Sequence, residues 1–60
     1  MKVWKVWNTN SVGCMYINSD SADEAIRIAR FYDKDCCAVQ LMSESEIKML
    51  NSVQVINAGA

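Results

Sequence analysis

The chain has 60 residues, 52% of them apolar, with six basic and seven acidic side chains and a net charge of −1. That is enough for one small domain, residues 1–60, with a marginal core, because a chain of this length buries only about 60% of the surface it exposes when unfolded. The apolar content, the absence of proline and the scarcity of glycine argue against disorder, and the basic excess that a non-specific nucleic-acid binder needs is missing.

Lys2 to Trp7 is rich in Val and Trp and reads as a strand. Asn8-Thr9-Asn10-Ser11 is a cluster of turn formers, and Val12 to Ile17 reads as the returning strand. With a four-residue loop, Trp7 stands opposite Val12, Trp4 opposite Met15 and Val3 opposite Tyr16. Alternation then sorts the hairpin into two faces. One carries Lys2, Trp4, Val6, Gly13, Met15 and Ile17; the other carries Val3, Lys5, Trp7, Val12, Cys14 and Tyr16. Any even-length loop preserves this sorting. Both faces are substantially apolar, and one short helix can cover only one of them.

Ser21 followed by Glu24 fits a capping box, which starts a helix expected to run to Tyr32–Asp33. At 100° per residue, Ala22, Ala25, Ile26, Ile28, Ala29 and Tyr32 share an arc of about 160°. The three alanines permit close approach to a sheet. The opposite side carries Asp23, Glu24, Arg27, Arg30 and Lys34, with Phe31 as a lone aromatic out of pattern. Asp35 to Met42 reads as a third strand with Cys37, Val39 and Leu41 on one face. The strand–helix–strand spacing favours a crossover with strands two and three parallel. Ser43 and Glu46 form a second capping box, opening a helix of about two turns over 44–51 that carries Ile47 and Leu50. Val53 to Ile56 reads as a short last strand, followed by a frayed tail from Asn57 to Ala60. The expected fold is α+β: a small mixed sheet (hairpin, helix, strand, short helix, short strand) with one main helix packed on one face.

A hairpin flowing into Ile17-Asn18-Ser19-Asp20-Ser21-Ala22-Asp23-Glu24-Ala25-Ile26-Arg27-Ile28-Ala29 resembles the strand–"Ser-x-x-Glu-Ala-Ile-x-x-Ala" cassette of small mobile-element proteins, of which the DpnD/PcfM-like family is an example. The likeness spans residues 2–32. It implies a phage or plasmid accessory protein, in some cases an inhibitor of host defence, with a host protein as partner and no catalytic residues. The double-cysteine strand and the second capped helix have no counterpart in that pattern.

Three cysteines, Cys14, Cys36 and Cys37, are an odd number without the spacing of a disulfide framework. There is no apolar run of signal-peptide or membrane-span length. Both features point to the cytoplasm, in the implied setting that of a bacterial host, and to no membrane partner. The chain has no histidine, and adjacent strand residues such as Cys36 and Cys37 point to opposite faces, so a zinc site is not expected. Without histidine, Cys36 has no clear activating group, and the pairs Asp33/Asp35 and Glu44/Glu46 read as loop and helix-start charges. Gly13 and Gly59 stand alone, so no phosphate-binding loop exists and no cofactor is expected. An enzyme is not expected.

Two surfaces compete for a binding role. Arg27, Arg30 and Lys34 fall within about 60° on the helix and could form an anion or nucleic-acid stripe. Interleaved acids make a solvated face with an Asp23–Arg27 pair the plainer reading. The aromatic surface is the stronger candidate. If Trp4 lies under the helix, Trp7 shares the other sheet face with Val3, Val12 and Tyr16, and an apolar face bearing Trp and Tyr has the composition of a protein contact site. Phe31 is added as an exposed aromatic. Alternatively, the 44–51 helix folds over this face and makes it core. Self-association through that face, or through an exposed strand edge, would relieve the marginal stability of a 60-residue monomer.

Overall fold

β1, Val3–Trp7, is the hub of the computed structural model, which describes residues 2–10 and 12–58. It hydrogen-bonds on both sides, and the four-stranded sheet has the order β3-β1-β2-β4. The other strands are β2 (Met15–Asn18), β3 (Ala38–Leu41) and β4 (Val55–Asn57). Helix α1 spans Ala22–Ala29, α2 spans Glu44–Lys48, and a 3-10 turn at Ser52–Gln54 leads into β4. The fold is the expected small mixed α+β sheet with one main helix packed on it.

The hairpin register differs from the expected one. Val3 stands opposite Asn18, Trp4 opposite Ile17, Lys5 opposite Tyr16 and Val6 opposite Met15. The loop is longer than four residues because Gly13 takes a positive φ of 109°, a conformation that interrupts an extended strand, and β2 therefore starts at Met15. Ser11 of the expected turn lies outside the described residues, as do Gly59 and Ala60 of the expected tail. The slip is by two residues, so the assignment of strand residues to faces survives.

One face carries Trp4, Val6, Met15, Ile17, Val39 and Ile56, and α1 packs on it through Ala25 and Ala29, both fully buried. Small residues at the contact let the helix backbone approach the sheet, and Ile26 and Ile28 close the sides. Trp4 lies under the helix and satisfies its indole N–H on the carbonyl of Ser19, at 3.0 Å. Ser19 itself is buried, and its hydroxyl donates to the Ser21 carbonyl at 2.7 Å, which fixes the junction from β2 into α1. The Ser21 hydroxyl accepts from the Glu24 N–H, but Glu24 turns away to Arg27, at 3.9 Å. The ion pair of Arg27 is thus with Glu24, not Asp23. The second capping box is complete, with Ser43 and Glu46 bonding reciprocally.

Helix α1 ends three residues earlier than expected. After Ala29 the chain tightens, with Phe31 N–H bonding to the Ile28 carbonyl and Tyr32 N–H to that of Ala29. Tyr32 consequently leaves the buried arc and is 67% exposed. Strand β3 also starts late, because Asp33 and Asp35 build a turn in which the Asp33 carboxylate accepts from the Asp35 N–H at 3.0 Å. Cys36 rather than Cys37 therefore enters the core, and Cys37 is exposed.

β2 and β3 run parallel, as the crossover spacing predicts, but they are not neighbours: β3 docks antiparallel on the free side of β1. β4 docks parallel on β2 at the far edge. The connection through α1 thus passes over β1 on one face. The return connection contains α2, whose Glu46 carboxylate feels the Lys5 ammonium and in turn acts on Tyr16, both on the opposite face. The chain winds round β1, its most apolar strand.

Candidate protein-binding surface

The second sheet face carries Val3, Lys5 and Trp7 from β1, Tyr16 from β2 and Ala38 and Gln40 from β3. Helix α2 has only five residues and follows directly on Met42, whose N–H bonds to the Val3 carbonyl at 2.9 Å. It therefore shields only the Val3 end. Val3 is fully buried, so it is a packing residue and presents nothing to a partner. Ile47 and Leu50 are half-buried, which is the extent to which the 44–51 segment makes this face core.

Trp7, away from α2, and Tyr16, near enough to α2 to feel the Glu46 charge, both stay half-buried. The Lys5 ammonium stands 5.6 Å from the centre of the Trp7 ring, a cation–π contact that braces the indole. The neighbouring Cys14 side chain, with smaller contributions from burial and Glu46, raises the Tyr16 phenol above its ordinary value of 10.0. Tyr16 is thus neutral at physiological pH. Glu46 is held below its ordinary value of 4.5, first by the Ser43 N–H and then by the Ser43 hydroxyl.

Val12 is fully exposed in the hairpin loop, and Phe31 is 82% exposed in the turn after α1. These two loops lie at the same end of the molecule. Residues 7, 8 and 12–15 from one side and Asp33 and Cys36 from the other enclose a shallow cleft of about 270 Å³. Trp7 lines this cleft and also lies on the second sheet face, so it joins the two surfaces. Tyr32, expected to be core, belongs to this exposed end. Its signal in the sequence was its position at the last turn of the helix, where an early stop exposes it.

Of the basic stripe, the structure brings Arg27 and Arg30 to one surface hollow and leaves Lys34 apart from them. Arg27 is paired with Glu24. Arg30 directs its Nε to the Cys36 carbonyl at 3.1 Å and ties the α1–β3 connection down. Lys34 lies in the turn beyond the helix, out of helical spacing with the other two. The surface hollow beside Arg27 and Arg30 also includes Asp23.

The three cysteines are dispersed: Cys36 in the core, Cys37 exposed with its thiol 3.8 Å from the Thr9 hydroxyl, and Cys14 half-exposed in the loop. Among the described residues, no three Cys, Asp or Glu side chains gather as metal ligands. No helix among them is long and apolar enough to cross a membrane. Comparison with known proteins returns no matching family model, curated protein or solved structure.

Proposed function

We propose that this chain is a small non-enzymatic protein-binding module whose contact surface runs from Tyr16 over Trp7 to Val12 and on to Phe31 and Tyr32. The observation that carries this reading is the exposure of large apolar side chains at one end of a chain with very little core. In a domain so small, exposing Val12 in the hairpin loop and Phe31 and Tyr32 in the turn after α1 withholds apolar surface from the core, and exposed apolar surface of this kind is what interaction sites use. Trp7, braced by Lys5, and the half-buried Tyr16 present aromatic area of the kind enriched at binding hot spots.

The mechanism is steric: the module covers a functional surface of a host protein in the bacterial cytoplasm. The likeness of residues 2–32 to phage and plasmid proteins supplies the setting, that of an accessory or inhibitor protein. The test uses the immobilised chain to capture partners from bacterial lysate, followed by titration of the purified partner. Trp7→Ala and Phe31→Ala are each expected to weaken binding at least tenfold while leaving the circular dichroism spectrum intact. Partner affinity unchanged in both variants overturns the reading.

A further inference from the structure

β3 lies at the edge of the sheet, and its outer rim is free of charge: Ala38, Val39, Gln40 and Leu41 contain no ionisable group. Natural edges are normally blunted by a lysine or a proline, and this strand has neither. Its ladder to β1 occupies the backbone groups of alternate residues. The Met42 N–H bonds inward to Val3, so Gln40 and Ala38 also face inward, and the N–H and C=O groups of Val39 and Leu41 point away from the sheet. The side chain of Leu41 is 49% exposed on the α1 face, and that of Gln40 is exposed on the other.

We infer that β3 pairs antiparallel with β3 of a second copy of this chain, about a twofold axis through Gln40, joining two sheets into one. A second copy fits because the strand is complementary to itself in this register. Val39 meets Leu41 of the second copy twice, and each such pair exchanges both backbone hydrogen bonds, about four in all. The Leu41 side chains then cover the two Val39 side chains on the α1 face. On the opposite face Gln40 meets its own copy at the close, non-hydrogen-bonded separation of roughly 4.5 Å between Cα atoms. A carboxamide both donates and accepts, so two glutamines can bond reciprocally, which two lysines or two glutamates cannot. The nearest charge on this face, Lys5, lies one strand further in. Its distance from its own copy is three strand spacings, roughly 14 Å, beyond the screening length at physiological salt. The interface is small, so the dimer is a weak one, with a dissociation constant in the micromolar range. It uses neither Val12 nor Phe31, and it stands or falls separately from the host-protein surface.

The test is sedimentation equilibrium of the chain from about 10 μM to 1 mM, with Gln40→Lys, Gln40→Glu and Leu41→Pro. The wild-type chain is expected to shift from monomer to dimer across that range. Each Gln40 variant alone remains a monomer, because the twofold axis places like charges against each other, and an equimolar mixture of the two recovers dimers. Leu41→Pro loses the outward N–H without touching the ladder to β1, and is expected to stay folded and monomeric. Amide exchange of Leu41 slows with wild-type concentration. A wild-type chain monomeric at 1 mM overturns the proposal, as does a dimer indifferent to charge at position 40 or a mixture that fails to recover dimers.

Discussion

Cys36 shows how a single residue position depends on a turn several residues away. Alternation along an extended strand from Asp35 points Cys37 inward with Val39 and Leu41. The Asp33–Asp35 turn instead delays the strand to Ala38 and brings the Cys36 thiol under α1. Burial, then the Asp33 carboxylate, raise that thiol above its ordinary value of 9.0, against a smaller opposing effect from Arg30. The fold therefore prefers the neutral thiol. Its contribution to stability is complete below pH 9.0 and is lost as pH rises through that value and above, where the unfolded chain ionises first. The raised Tyr16 phenol acts with the same sign above pH 10.0. The urea midpoint is expected to fall between pH 8 and 10.5, and to fall less in Cys36→Ala. A midpoint equally pH-dependent in the variant would contradict the assignment. In the native protein Cys37 should react with a thiol reagent well before Cys36.

At the scale of elements, helix starts were legible and helix ends were not. A cap is a local event: Ser21 and Ser43 each accept from an N–H three residues along, within reach of a sequence pattern. At the end of α1 Arg30 reaches the Cys36 carbonyl across a loop, a contact that periodicity does not encode. Phe31 was readable as exposed because it breaks the apolar arc, whereas Tyr32 fits that arc and is outside only because the helix has stopped. The two caps also differ in consequence. Helix α1 packs on β1, β2 and β3, so Ser21→Ala is expected to lower global stability by about 1 kcal/mol in denaturant titration. Helix α2 shields only one end of the second face, so Ser43→Ala should chiefly accelerate amide exchange within residues 44–50, with little change in the global midpoint.

The whole molecule has a radius of gyration of 10.5 Å, about that of a compact chain of its length. Its expected stability is small, roughly 3–9 kcal/mol from typical per-residue values. Ile17 lies at the centre of the core, fully buried between β1 and β4 and packed against α1. Ile17→Ala is expected to cost about 2–5 kcal/mol, enough to unfold a substantial fraction at 25 °C. Val12→Ala should change stability by less than about 0.5 kcal/mol, whatever it does to binding. Thermal melts of the pair measure both, and equal losses would contradict the core and surface assignments.

The amino-acid sequence already specifies the number and type of elements, both helix starts, and the division of strand residues between two faces. Each rests on contacts between residues a few positions apart or on the two-residue period of a strand, which survives an even slip in register. Strand order, the docking of β3 on β1 rather than beside its parallel mate β2, and the half-covered second face depend on contacts across the whole chain. Those contacts are set by competition between elements for a very small core. β1 prevails at the centre because it is apolar on both sides, and the five-residue α2 is too short to cover what remains. Trp7 and Tyr16 are left at the surface for that reason.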